Sequence, residues 1–446
     1  MLRKLWALVA VIGLLASPAA VAVIGTIDVA PAATLLIPYF EVDTANPNGV
    51  TTLIGIQNSS ASAAVAYFTV WTDLGVPTQT FNVYLTGYDT QTLNLRDLFV
   101  QGLIPRTADA GNDPTGTISP KGVLSQDINF PGGGLDADDF GFGDDGPAPD
   151  YEPPGDTPFL VSEYRTDLAN AHTGRASTGI YLPAGRCAGL AYGDSIARGY
   201  VTIDSVNQQN ALKPTNAEAY FPGVLDFRNI LFGDFMIVNP SMNFAEGDVA
   251  VHVEAVPFGQ PLADGVYTFY GGIDAARARN RREALPTRFI TPWIADSELI
   301  TWRDGARQPS ATGYQCNSSL YGAFPMGVAG VRAFDSEENP LGFTPNVAFQ
   351  FAAQTNRLDE TLLPGYNAVK QGWVVVDLSA TAAGGSVYTS NPLARQGWLL
   401  HRRGLEPPGG QGRFRSMSAA IQLDNASQLT TPPPPRPAAT PVGGAR

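Results

Sequence analysis

Hydrophobic and polar residues alternate at every second position along much of the chain. In the segment DVAVHVEAV (248–256), Val249, Val251 and Val253 share one face, while His252 and Glu254 share the other. Successive side chains of a β-strand point to opposite faces, so this pattern predicts a strand with one buried and one exposed face. Further strands are predicted, from their β-branched and aromatic residues, at 63–71, 80–85, 347–351 and 373–378.

Long amphipathic helices are not predicted, because no window keeps a 3.6-residue period; short helices are most plausible over 89–99 and 273–284. Charged residues make up only 15% of the chain, whereas Gly (47) and Pro (36) are abundant, which is typical of many short strands joined by turns. We therefore predict an all-β fold of tandem immunoglobulin-like or jelly-roll-type β-sandwiches, with long loop insertions and few short helices.

A weak internal repeat favours two related sandwiches. Asn58 in IQNSS and Asn239 in IVNPS are 181 residues apart, and Pro77 and Pro261 are 184 apart. A nearly constant offset indicates a duplicated unit, with chance resemblance of turn-rich stretches as the alternative. The predicted division is a first β-sandwich core (30–101), an acidic Gly/Pro-rich insertion (102–160), continuing β segments (161–229), a second β-sandwich (230–429) and a Pro-rich disordered tail (430–446).

The first 22 residues have the three-part layout of a signal peptide. Arg3 and Lys4 precede an unbroken apolar run at 5–16, and Ala20-Val21-Ala22 offers a small-x-small cleavage pattern. That run is shorter than the roughly 20 residues that span a bilayer. We therefore predict an exported protein, located outside the cell, at the cell surface or in the periplasm, with no transmembrane anchor.

The net charge excludes one class of partner, and the two cysteines suggest a disulfide. The net charge of −13 argues against nucleic acid, whose phosphates it would repel. Cys187 and Cys316 are predicted to form one disulfide in an oxidising compartment, with two free thiols as the alternative. The scarcity of Lys relative to Arg indicates a bacterial, GC-rich coding sequence.

Four segments together resemble a family of exported, β-rich bacterial proteins that has no assigned activity. They lie at 35–60 (LLIPYFEVDTANPNGVTTLIGIQNSS), 70–78 (VWTDLGVPT), 85–99 (LTGYDTQTLNLRDLF) and 232–255 (FGDFMIVNPSMNFAEGDVAVHVEA). The resemblance supports the β-rich architecture and implies no chemistry.

Two charged clusters are candidate ligand sites. Calcium prefers six to eight oxygen ligands, so the acidic insertion is a candidate Ca²⁺ site, with a solvated acidic loop as the alternative; its residues are Asp136, Asp138, Asp139, Asp144 and Asp145. A basic cluster could bind an anionic ligand through bidentate hydrogen bonds, with a solvated turn as the alternative; it comprises Arg277, Arg279, Arg281 and Arg282.

Catalytic patterns are weak. Gly193-Asp194-Ser195 matches the nucleophile block of GDS-type esterases, but its order in the chain and the histidine spacing do not follow that family, so a β-turn is the better interpretation. His252 and Glu254 could supply two metal ligands, short of the three or four of a zinc site. We assign no catalytic residue and no firm cofactor.

We therefore predict an exported, non-enzymatic protein with a structural or binding role, whose partner would be an extracellular glycan or another component of the cell envelope. A carbohydrate-binding or adhesive module is the first alternative. A secreted hydrolase with a site built from loops is the second.

Overall fold

The structure, a computed structural model, describes residues 30–85, 87–104, 160–207, 211–256, 269–274, 280–281, 285–294, 296–304, 314–316, 331–342, 351–369, 371–378, 396–405 and 414–425. The strands within these ranges are β1 Thr34–Asp43, β2 Thr51–Asn58, β3 Ala64–Thr72, β4 Pro77–Leu85, β5 Thr90–Asn94, β6 Arg186–Cys187, β7 Ile196–Val206, β8 Leu231–Asn239, β9 Phe244–Val249, β10 Val251–Val253, β11 Pro286–Ile294, β12 Ser297–Arg303, β13 Tyr314–Gln315, β14 Arg332–Asp335, β15 Pro340–Leu341, β16 Ala353–Arg357, β17 Gln371–Asp377, β18 Gly397–Leu405, β19 Phe414–Ala419 and β20 Ile421–Asn425. The helices are short, at Asp97–Gln101, Ser162–His172, Ala217–Gly223, Pro240–Met242, Gly271–Asp274 and Tyr366–Val369.

The strands pair antiparallel in four main sheets, as the all-β prediction requires. Sheet I has the order β10-β1-β7-β3-β4, and sheet II has the order β5-β2-β8-β9. Sheet III has the order β16-β12-β18-β19, and sheet IV has the order β15-β14-β17-β11-β20. A fifth, two-stranded sheet joins β6 to β13. The structure is therefore an all-β, multi-sandwich fold with few short helices.

Sheets I and II form the first sandwich, because the alternation of each strand gives it an apolar inner face. Leu36 of β1, Ile54 of β2 and Ile237 of β8 are at most 1% exposed and belong to one hydrophobic core. Strands β3 and β7 of sheet I are buried over nearly their whole length, because other elements also cover the second face of this sheet.

Sheet III is a shared layer, buried on both faces. Ile300 and Leu400 point into the core of the first sandwich, whereas their neighbours Leu299 and Leu399 point into a second core against sheet IV. Alternation along β12 and β18 therefore divides their side chains between two cores. Sheet IV, in contrast, contributes one face to the second core.

A buried charge cluster lies where sheets I, II and III meet. Arg402 of β18 is 3% exposed, and its guanidinium contacts Glu246 of β9 at 2.6 Å, Glu298 of β12 at 3.0 Å and Glu41 of β1 at 3.3 Å. Burial raises the pKa of the Glu246 carboxyl to about 7, although Arg402 opposes this shift. Burial also acts on Glu41, but Arg402 and Arg198 outweigh it and lower the pKa of that carboxyl.

The predicted boundary at residue 230 does not separate two sandwiches. Strand β8 pairs along its whole length with β2, and β10 pairs with β1, so residues 231–253 complete the first sandwich. The predicted repeat is also wrong, since Asn58 and Asn239 lie at the ends of neighbouring strands of one sheet. Their similarity is local turn chemistry: Asn58 Oδ1 accepts from the Ser60 amide, and Asn239 Oδ1 accepts from the Met242 amide.

The segment predicted as one strand over 248–256 is split between two sheets. Strand β9 ends at Val249, which is 40% exposed on sheet II, and β10 begins at Val251 in sheet I. The Ala250 amide donates to the Gly233 carbonyl at the switch between sheets. The helix predicted over 89–99 is likewise mostly wrong, because Thr90–Asn94 forms β5 and a single helical turn follows.

Other sequence predictions agree with the structure. Strands β3, β4 and β17 confirm the predictions at 63–71, 80–85 and 373–378; the segment 347–351 lies outside the described residues except for Phe351. Cys187 and Cys316 form the predicted disulfide, which closes a separation of 129 residues and ties the β6–β13 ribbon.

Removing this disulfide by Cys187→Ser with Cys316→Ser should lower the free energy of unfolding. The unfolded chain regains the entropy of a 129-residue loop, which the chain-entropy model equates with at most about 5 kcal/mol. Urea unfolding followed by tryptophan fluorescence checks this. Equal midpoints and slopes for the variant and the parent would contradict a stabilising role.

Candidate functional site

The outward face of sheet IV carries a stacked aromatic pair. Phe334 of β14 and Trp373 of β17 are direct cross-strand partners, and their ring centroids lie 4.1 Å apart with planes at 15°. The strand alternation explains this position: Val374 and Val376 are buried in the second core, so Trp373 and its alternate neighbours point away from it. Both rings of the pair are half-buried and accessible from outside.

Aliphatic side chains extend this surface toward the edge strand β20. Val375, Ile290 and Ile421 follow one another across three paired strands. Ile421 is 65% exposed, and Leu423, two residues further along β20, is 46% exposed. We call this surface the sheet IV platform: Phe334, Trp373, Pro292, Ile290, Val375, Ile421 and Leu423. Contiguous apolar surface of this kind marks interaction sites in folded proteins.

Charged groups border the platform at both ends. At one end, Arg288 and Asp377 form a cross-strand ion pair at 3.0 Å. At the other, the β14–β15 turn presents the exposed Glu337 and Glu338. Asp335 holds that turn: hydrogen bonds from the Asn339 side chain and from the Asn339 and Glu337 amides lower the pKa of its carboxyl.

Ser195 lies in the bend directly before β7, in agreement with the interpretation of Gly193-Asp194-Ser195 as a turn. Its Oγ donates to Asp43 Oδ1 at 3.0 Å, and its carbonyl accepts from Thr44. The GDS block therefore joins two loops of the first sandwich through a Ser–Asp hydrogen bond.

All three histidines are buried in the core. His172 contacts Thr78 at 2.8 Å and the Arg198 carbonyl at 2.9 Å, and burial lowers its pKa to about 4. His401 lies between sheets III and IV beside Ser297 and Thr291, and burial together with Arg403 lowers its pKa to about 4. The sequence placed the third histidine, His252, on an exposed face. That prediction is wrong, because His252 is 3% exposed inside sheet I.

Among the described residues, no group of three or more His, Cys, Asp or Glu side chains could hold a metal ion. His252 and Glu254 thus gain no third ligand from that part of the chain. The acidic candidates for calcium lie outside the described residues, so calcium binding there stays a prediction; they are Asp136, Asp138, Asp139, Asp144 and Asp145.

Arg281, predicted as part of a basic surface patch, is fully buried. Its guanidinium donates to Thr34 Oγ1 at 2.7 Å and to the Asp226 carbonyl at 2.9 Å, and it lies 3.9 Å from Asp204. This position corrects the prediction for Arg281, because an internal carboxylate and carbonyls surround it. The other members of the predicted patch, Arg277, Arg279 and Arg282, lie outside the described ranges.

The Asp204 carboxylate organises this buried network. Tyr220 and Tyr270 donate to its Oδ2 at 2.7 and 2.6 Å, and Thr34 donates to Oδ1. Because buried charges without partners are strongly unfavourable, the two tyrosines, Thr34 and Arg281 explain why Asp204 is tolerated at 0% exposure. This network stabilises the first sandwich and offers no access to a ligand from solvent.

The sheet IV platform was not predicted, although part of its signal was present. The alternation in WVVVDL (373–378) separates the buried valines from Trp373, Val375 and Asp377. The missing information was the neighbouring strand: Phe334 belongs to a four-residue strand, too short for a periodic signal.

The comparisons and the search for membrane spans give no further assignment. Comparison with protein-family models, curated proteins and solved structures finds no match for this chain. Within the described ranges, no helix is both long and apolar enough to cross a bilayer.

Asp73→Asn should remove part of the pH dependence of stability. Burial raises the pKa of the Asp73 carboxyl to about 7, against the opposing hydrogen bond from the Leu190 amide. A raised pKa means that the folded state binds the extra proton, so this group's contribution to stability is present below about pH 4 and is lost as pH rises through 7. The parent should therefore lose up to about 4 kcal/mol of unfolding free energy between pH 4 and pH 8.5 through this group, and the variant should lack that loss.

Urea unfolding at the two pH values measures this difference. The exposed Asp234 of β8 provides a matched control, because Asp234→Asn makes the same exchange outside the core. A pH dependence for Asp73→Asn that equals the parent's would show that Asp73 does not carry this proton.

Proposed function

We propose that this protein is exported and has a non-enzymatic binding or structural role in the cell envelope, acting through the sheet IV platform. The sequence features at 1–22 motivate export. The Cys187–Cys316 disulfide supports it, because such bonds persist mainly in oxidising compartments.

The observation that carries the binding role is the half-buried, solvent-accessible aromatic pair. Stacking of Phe334 on Trp373 fixes two large rings on a rigid sheet instead of a loop. A ligand that packs there loses little side-chain entropy from the protein, because neighbouring strands already hold the rings. Aromatic residues in an apolar surface with a charged rim match the usual composition of binding sites.

A carbohydrate-binding or adhesive role is the more specific form of this proposal. An aromatic ring offers a flat apolar surface, and the Trp373 indole adds an N–H donor. Sugar rings present C–H groups on one face and hydroxyls at their edges, so both features suit them. The Arg288–Asp377 pair and the acidic turn supply polar groups around the rings.

The secreted-hydrolase alternative has less support among the described residues. Ser195 is bonded to Asp43, and the hydrogen-bond partners of His172, His252 and His401 lie elsewhere in the core. A nucleophilic serine needs an adjacent base to take its proton.

Trp373→Ala should weaken binding to envelope polysaccharide at least ten-fold. The substitution removes the larger ring of the platform while the core residues Val374 and Val376 stay in place. Affinity electrophoresis through gels containing soluble polysaccharides from bacterial envelopes measures the retardation of the mature protein. We expect saturable retardation of the parent and at least a ten-fold weaker effect for the variant.

Met236→Ala is the control, since Met236 is an exposed apolar residue (46%) on the outer face of sheet II. It should bind like the parent. Equal retardation of all three proteins would place any glycan site elsewhere, and no retardation of the parent by any tested polysaccharide would refute the carbohydrate form of the proposal.

A further inference from the structure

A row of four side-chain rings crosses the outward face of sheet IV, perpendicular to its strands. The rings belong to successive cross-strand partners on β15, β14, β17 and β11: Pro340, Phe334, Trp373 and Pro292. Directly opposed residues of paired strands share a face, so all four rings point the same way. Their chain neighbours Leu341 and Trp293 pack into the second core, which places the row on the opposite, outward face.

From this row we infer that the sheet IV platform binds an internal stretch of a linear, uncharged polysaccharide, which lies across the strands with its sugars on the four rings. The inference rests on the proposed carbohydrate role and specifies the class of its ligand. The row covers three strand spacings of about 4.8 Å, about 14 Å in all. A pyranose unit with its linkage is about as long as one spacing, so the row accommodates about three or four units.

The row is open at both ends. Pro340 and Pro292, the terminal members, are exposed, so a sugar chain can continue past either of them. Recognition of a chain end requires a concave pocket that encloses the last unit, whereas these four residues lie on the surface of a sheet. The geometry therefore favours the interior of a long chain over its end.

Exposed polar side chains flank the row on its two sides. Arg332 lies two residues before Phe334 on β14, and Gln371 lies two residues before Trp373 on β17, so both share the outward face. Because β14 and β17 are antiparallel, Arg332 and Gln371 lie on opposite sides of the row. Their N–H groups can donate to the hydroxyls at both edges of a sugar chain while its C–H faces pack on the rings.

Charge on this face favours an uncharged ligand. The guanidinium of Arg288 is already paired with Asp377 at 3.0 Å, which leaves Arg332 as the cation beside the row. The β14–β15 turn presents the exposed carboxylates of Glu337 and Glu338, and the whole chain carries a net charge of −13. A polymer with a carboxylate on every unit would therefore be repelled, whereas an uncharged one would not.

The twist of the sheet favours a single chain over a crystalline surface. Neighbouring strands rotate by about 20° relative to each other, so the two ends of the row differ in direction by about 60°. The planes of Phe334 and Trp373 already differ by 15°. A single soluble chain follows this change by rotating about its glycosidic linkages, but the flat face of a polysaccharide crystal cannot.

Affinity electrophoresis of the mature protein separates the ligand classes. The gels contain hydroxyethylcellulose or glycol chitin as uncharged linear polymers, or polygalacturonate or alginate as acidic ones. We expect retardation by at least one uncharged polymer, and at least ten-fold weaker binding of both acidic polymers. Raising NaCl from about 0.05 M to about 0.5 M should change the affinity for the uncharged polymer less than two-fold, because no ion pair with the ligand is screened.

Oligosaccharides of the bound polymer, studied by titration calorimetry, test the length of the site. The tetrasaccharide should bind at least ten-fold more tightly than the disaccharide, and the hexasaccharide should bind within three-fold of the tetrasaccharide. Pro340→Ala and Pro292→Ala should each weaken tetrasaccharide binding at least three-fold but leave the disaccharide, which the central rings hold, within two-fold. Pro183→Ala changes an exposed proline in the loop before β6 and is the matched control, which should bind like the parent.

The outcomes separate this inference from the proposed function. Preference for an acidic polymer, a tetrasaccharide that binds no more tightly than the disaccharide, or proline variants that bind like the parent would each overturn the inference. Equal urea midpoints for the proline variants and the parent exclude unfolding as the cause of weaker binding. If none of the four polymers retards the parent, the inference also fails, whereas retardation by another envelope polysaccharide that Trp373→Ala weakens would leave the proposed function standing.

Discussion

The guanidinium of Arg402 binds carboxylates from three sheets, whose apolar residues also share one hydrophobic core. It lies on β18, and its carboxylate partners come from β1, β9 and β12, so the contact forms only when sheets I, II and III are all in place. Removing four ionisable groups from water is expensive, and a buried pair repays this only with good geometry. A chain with a misplaced layer would therefore leave buried charge without a partner, which makes the cluster a constraint on how the layers assemble.

The layering that follows from this constraint explains where a binding surface can lie. Sheet III has both faces buried, because Ile300 and Leu299 point into opposite cores. Within the described residues, sheet IV lines the second core with one face, through Phe289, Trp293, Val374 and Val376. Its remaining face can therefore carry Phe334 and Trp373 without affecting the core. The binding proposal thus depends on the position of sheet IV in the stack.

Local patterns in the sequence were sufficient for the fold class and for several strands. Alternation located β3, β4 and β17, and the two cysteines correctly predicted the disulfide. Alternation could not show which strands pair, and so β8 was assigned to the wrong sandwich. It also could not reveal that the chain changes sheets at Ala250, because both halves of that segment keep the same period.

The misassigned and unpredicted sites have a common physical reason. Burial of Arg281 and His252 depends on residues far away in the chain, such as Asp204 for the arginine. Arg402 and Glu41 are 361 positions apart, a separation at which sequence spacing carries no information about contact. The predicted repeat failed for a different reason. Asn58 and Asn239 accept similar hydrogen bonds in two turns, and this local similarity resembled a duplication.

The most direct test of the account is a double-mutant cycle on the Arg402 cluster. Urea unfolding should be measured for Arg402→Met, Glu246→Gln and the double variant, with Arg357→Met, an arginine whose side chain is 60% exposed, as control. The account predicts a loss of about 3–5 kcal/mol for Arg402→Met, because the fully buried Glu246 loses its nearest counter-charge, and partial recovery when Glu246→Gln removes that carboxylate. A loss no larger than that of Arg357→Met, with additive effects in the double variant, would contradict it.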